Sequence, residues 1–179
     1  MRTAKKIALL GILTGLALIS YILESMLPSI YLPGAKIGIS NVFSLLTAIV
    51  FGLPEALILT IVRTTLGSLV TGSLSALVYS LPAGIIAVTV SYLLYRATGD
   101  KISVTAASTA GATVHNLVQN AVFCLITHSV ESFVLLPYLG VFGAVSGIIV
   151  GLVVLLILKT VPTSVWNTAR DKGGKIENT

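Results

Sequence analysis

Six apolar runs leave this chain few ways to fold. They cover residues 6–23, 39–51, 55–70, 74–95, 104–127 and 133–158, flanked by stretches that hold most of the charged residues. A helix needs about 20 mainly apolar residues to cross the hydrocarbon core of a bilayer. The second run is short for a full crossing and is expected to begin within the loop before it. Apolar residues follow one another without alternation, which excludes a transmembrane β-barrel. Only 9% of residues are charged and 55% are hydrophobic, whereas a soluble domain carries roughly 25% charged residues. The expected fold is an all-α integral membrane protein with six transmembrane helices. Residues 1–162 form that domain, and 163–179 form a polar tail whose end is expected to be disordered.

The first run follows Arg2, Lys5 and Lys6, as in a signal peptide, but it is long and lacks a clean small-residue cleavage site. It is read as the first span. With the N-terminus inside, every Lys and Arg except Lys36 and Arg63 falls on the inner face or in the tail. That asymmetry places both termini in the cytoplasm of a multi-pass cell-membrane protein. It also accounts for the net charge of +5 without a nucleic-acid partner. The single Cys124 offers no disulfide framework.

Arg63 lies midway along the third run, where a guanidinium costs several kcal/mol or more unless it is paired. Thr60, Arg63, Thr64, Gly67 and Thr71 share one helical face, with Ser68 beside them. The fifth run carries His115, Asn116, Gln119 and Asn120, again from the middle outward. Asn41 and Ser44 begin the second span, and Ser73, Tyr79 and Ser80 begin the fourth, where Pro82 and Gly84 are expected to kink the helix and free carbonyls. The bland alternative is interhelical hydrogen-bond glue, at about 0.6 kcal/mol per bond. Four polar residues within six positions exceed what glue needs.

These groups converge on an outward-opening cup floored by Arg63 and His115. Its candidate solute-binding residues are Lys36, Asn41, Arg63, Ser68, Thr71, Tyr79, His115, Asn116 and Gln119. Lys36 reads equally well as a solvated loop lysine. Glu24 and Glu131 read as interfacial carboxylates. With no acidic residue at its depth, Arg63 is expected to receive its counter-charge from the solute. The loop from Met26 to Lys36 reads either as a lid over the cup or as a segment resting on the headgroups.

Small residues mark two seams. Gly143, Gly147 and Gly151 recur every fourth residue and should pack inside the bundle. Ala4, Ala8, Gly11 and Gly15 begin at the cytoplasmic edge and favour an external partner. There is no phosphate-binding GxxxxGK[ST] loop, no acidic pair for Mg²⁺-diphosphate chemistry, no metal-ligand cluster and no nucleophile–base arrangement. No cofactor and no enzymatic activity are expected.

The run from Lys36 to Gly84, KIGISNVFSLLTAIVFGLPEALILTIVRTTLGSLVTGSLSALVYSLPAG, together with GATVHNLVQNAVF from Gly111 to Phe123, resembles the Gx transporter family. Its members are also labelled heptaprenyl diphosphate synthase component I. The resemblance rests on the K-x-G-x-x-N start, the R-x-x-x-G-S-L-x-x-G-S run and the H-N-x-x-Q triplet. That family is similar to the substrate-binding S components of energy-coupling factor (ECF) vitamin importers. The resemblance implies six helices and an outward-facing small-molecule site closed by the first loop. It also implies a first helix that touches a transmembrane coupling protein through Ala-x-x-x-Ala, matched by Ala4 and Ala8, with two cytoplasmic ATPases supplying energy. The alternative is a non-catalytic membrane subunit of a prenyl diphosphate or quinone biosynthetic complex.

Overall fold

A computed structural model describes residues 2–26, 38–98, 103–128 and 130–169. The described chain is helical: α1 (Arg2–Met26), α2 (Ile39–Val50), α3 (Leu53–Val70), α4 (Leu74–Thr98), α5 (Val104–Thr127), α6 (Leu136–Thr160) and α7 (Thr163–Ala169). A 3-10 turn, Val130–Leu135, leads into α6. Local chemistry sets several ends. Ser103 caps α5 by accepting the Ala106 N–H, which satisfies one of the helix's orphan donors. Pro54 and Pro137 sit in the first turns of α3 and α6, where a missing N–H costs nothing. Pro82 lies inside α4, which runs through it as one helix.

The surface distribution is that of a lipid-facing bundle. Ile7, Ile12, Ile19 and Leu23 of α1, Ile58 and Leu69 of α3, and Val141, Leu152 and Leu156 of α6 are exposed. Meanwhile Arg63, Gln119, Ser68 and Thr60 are buried. Four helical stretches are long and apolar enough to cross a membrane: Thr3–Met26, Leu53–Val70, Leu74–Ala97 and Glu131–Thr160. The other two expected spans differ for separate reasons. α2 has only 12 residues, about 18 Å at the 1.5 Å helical rise. α5 has 24 residues, but its polar face dilutes its hydropathy.

α2 is the hub. It packs against α1, α3, α4 and α6, and nearly every residue from Ser40 to Val50 is buried. The main core gathers Leu13 and Ala17 of α1, Leu45, Leu46 and Ile49 of α2, Leu59 of α3, and Val150 and Val154 of α6. Trp166 of α7 joins that core at 3% exposure. Thus residues 163–169, assigned by composition to a polar tail, fold back as a helix that packs on α1. The rest of the tail lies outside the described residues.

The glycine seam of α6 packs within the bundle as expected. A Cβ on Gly143, Gly147 or Gly151 would meet the Cα of Thr113, Thr109 or Thr105 at 2.8, 2.5 and 2.5 Å. The matched four-residue steps in opposite directions define an antiparallel α5–α6 pair in which one backbone lies directly on the other. Elsewhere, Gly67 of α3 makes room for the Tyr21 ring, and Gly111 of α5 makes room for Ser91 of α4.

Candidate functional site

The polar centre is built around the N-terminal end of α2. Gly38 adopts φ +79° immediately before that helix, a left-handed conformation that glycine accepts without strain. The first backbone N–H groups of α2 are satisfied from another helix. Ile39 N–H donates to Glu24 Oε1 at 2.6 Å and Ser40 N–H to Glu24 Oε2 at 3.3 Å. A carboxylate there also meets the positive end of the helix dipole. Glu24 is 7% exposed, so it is a buried cap and not an interfacial carboxylate.

Arg63 approaches the same turn from α3. One terminal guanidinium nitrogen donates to Ser40 Oγ, and the other donates to Asn41 Oδ1 at 2.6 Å. Ser40 Oγ in turn donates to Glu24 Oε2 at 3.0 Å. One hydroxyl therefore links the buried cation to the buried anion. This corrects the expectation that Arg63 has no internal acidic partner. The partner comes from α1, which reads in sequence as an apolar span.

Around this relay the expected residues separate by environment. Arg63, Thr64, Ser80, His115 and Asn41 line one cavity with Tyr21, Glu24, Gly38 and Ser40. Its free volume is about 20 Å³, room for one water molecule. Ser68 is fully buried and pairs with the Tyr21 hydroxyl at 3.1 Å. Thr71 is half-buried, and its hydroxyl donates back to the Gly67 carbonyl at 2.9 Å. Tyr79 of α4 meets the ring of Phe123 of α5 edge-on, with centroids 5.9 Å apart. Lys36 and the rest of the loop after Met26, residues 27–37, fall outside the described residues.

The polar face of α5 divides into two kinds of residue. Asn116 donates its amide to Leu139 O at 3.2 Å, and Asn120 donates to Ser132 O at 3.1 Å. These amides tie α5 to the start of α6 and to the 3-10 turn that leads into it. His115 faces the cavity. Gln119, one turn further along the same face, is 2% exposed. Neither its amide nitrogen nor its oxygen has a partner among the described residues. The Ser80 hydroxyl and Arg63 Nε are also buried and unpartnered there. Such groups typically cost about 1–3 kcal/mol each, and native structures hold few of them.

Below Asn41 lies a second cavity of about 30 Å³, lined by Ser44, Gly84, Ser91, Ser108 and Gly111 among others. Its lining mixes these small and hydroxylated residues with Leu45, Val88 and Val150. On α1, Ala4, Ala8 and Gly11 are exposed and Gly15 is half-buried. A Cβ on Gly11 or Gly15 would meet nothing within 4 Å. Among the described residues there is no group of three His, Cys, Asp or Glu able to hold a metal ion.

A helical bundle with a lipid-facing apolar surface and a buried Glu–Ser–Arg–Asn centre is a multi-helix membrane protein organised around an internal polar site. Residues 13–157 match the family described as heptaprenyl diphosphate synthase component I, and the chain belongs to that family. The description names a component of a synthase complex. No curated protein matches the chain, and no solved structure matches it.

Proposed function

We propose that this protein is the solute-binding membrane subunit, the S component, of an ECF-type importer. It captures a small vitamin-like or quinone- or isoprenoid-related solute from the outer side of the cell membrane. The observation that carries this reading is Gln119, whose amide is buried without a partner among the described residues, one helical turn from His115 of the Arg63–His115 cavity. An interior built only for stability would place an apolar side chain there. In the present conformation the cavity is far below the several hundred Å³ a vitamin-sized solute fills. Binding therefore requires α3, α4 and α5 to part.

The remaining features fit this role. Taking α2 and α5 as the second and fifth spans gives six crossings. The Lys6–Glu55 ion pair at 2.7 Å brings the start of α1 to the start of α3. With antiparallel neighbours, Lys5, Lys6, Arg96 and Lys159 then share one end, the cytoplasmic one by the charge rule. The bare face of Ala4, Ala8, Gly11 and Gly15 is the surface for the coupling protein, through which two ATPases act. The protein itself is non-catalytic.

Affinity purification from native membranes tests the assignment. The expected companions are two ATPases and one polytopic membrane protein, lost on Ala8→Leu or Gly11→Leu. The family description favours a second reading, a non-catalytic membrane subunit of a prenyl diphosphate or quinone biosynthetic complex. Recovery of a soluble prenyl synthase, with no ATPases, would establish that reading and end the importer proposal.

A further inference from the structure

The centre is already electrically balanced. Among the described residues, the buried charged side chains are Glu24 and Arg63, joined through Ser40. The formal charges of this pair sum to zero. An added phosphate or carboxylate would leave an uncompensated anion in a low-dielectric interior, a heavy penalty. Glu24 cannot readily turn away to make room, because it holds the Ile39 and Ser40 N–H groups of α2.

The unspent hydrogen-bonding groups specify what is wanted instead. Arg63 Nε and Gln119 Nε2 can only donate, Gln119 Oε1 can only accept, and Ser80 Oγ can do either. Arg63 Nε and Gln119 Nε2 can be satisfied only by acceptors, so the set calls for a partner that carries oxygen acceptors. One turn beyond Gln119, Phe123 of α5 meets Tyr79 of α4 edge-on, so parting of these helices would uncover aromatic faces suited to a flat ring. We infer that the solute group reaching this centre is an uncharged ring bearing carbonyl oxygens, and that phosphate and carboxylate head groups are excluded. The inference rests on the capture function proposed above and narrows its solute class.

Two measurements on the full chain in detergent micelles test it. The first is a thermal-stability cycle of Glu24→Gln, Arg63→Gln and the double variant. Each single change is expected to lower the melting temperature, and the double variant to recover most of the loss. Additive losses would show that Glu24 does not neutralise Arg63 and would overturn the inference. The second compares binding of menadione, uracil and inorganic diphosphate by calorimetry, alongside native mass spectrometry of whatever copurifies from native membranes. The expected result is binding of at least one neutral ring, weakened about tenfold or more in Gln119→Leu, with no binding of diphosphate. A phosphate or carboxylate compound that binds and is lost in Arg63→Gln would refute the charge argument and leave solute capture standing. Absence of every added and copurified molecule would refute capture itself, and this inference with it.

Discussion

The same methyl group, added to two glycines, separates the two helical seams. In Gly147→Ala the new Cβ would lie 2.5 Å from Thr109 Cα and 2.9 Å from Ser108 O. Both are backbone atoms, so no rotamer change relieves the clash. Ordinary contact begins at 3.4 Å, so α5 and α6 must part by about 0.9 Å, the difference between those two distances. The shift also loosens the contacts at Gly143 and Gly151. Overpacking of this kind costs about 1–3 kcal/mol. In Gly11→Ala the Cβ meets nothing within 4 Å. Both variants gain about the same helix propensity, up to ~1 kcal/mol, so the difference between them isolates the packing cost. For a chain of this size about 1–3 kcal/mol corresponds to roughly 2–12 °C in melting temperature. Thermal unfolding in one detergent, read by circular dichroism, measures it. Gly147→Ala melting at or above Gly11→Ala would refute the close-packed α5–α6 seam.

Three further outcomes follow from other contacts. Gln119→Leu should raise stability by about 1–3 kcal/mol, because it removes a buried unpaired amide; chemical unfolding checks the sign, and a loss of stability would mean the amide is satisfied. Tyr21→Phe deletes the buried bond to Ser68 and should cost about 0.5–1.5 kcal/mol, whereas Lys6→Ala, which breaks a partly exposed ion pair, should cost no more than about 1 kcal/mol. Trp166→Ala should cost about 3–5 kcal/mol and expose α7 to limited proteolysis, an outcome that residues 163–169 would not show if they were a loose tail.

The parts of the fold and site that could be read from sequence were those with a periodic signature. Continuous apolar runs gave the helices, and four-residue glycine spacing gave the α6 seam, whose Thr113, Thr109 and Thr105 contacts bear it out. The stripe on α3 and the His115–Gln119 pair also reached the interior as expected. Glu24, Ser40 and Tyr21 were missed because each sits alone in an apolar or loop context. A signal for two of them did exist. Leu13, Ala17, Tyr21 and Glu24 fall on one helical face, and all four are buried. Only the folded chain shows that Glu24 is spent on the start of α2 and Arg63. Nor could spacing separate Gln119 from Asn116 and Asn120. All three lie on the inward side of α5, but the last two find the Leu139 and Ser132 carbonyls.

The shortness of α2 has a consequence for how this chain enters the membrane during synthesis. A 12-residue helix covers little more than half of the ~30 Å hydrocarbon core. Outside the bundle its Ser40, Ser44 and Thr47 side chains and its first N–H groups would face lipid. Glu24 precedes it in the chain, but Arg63 follows it. The segment therefore cannot settle at its final depth as it emerges from the ribosome. The polar centre can be completed only once α3 has been made, so nascent chains ending before residue 63 are expected to leave α2 uninserted.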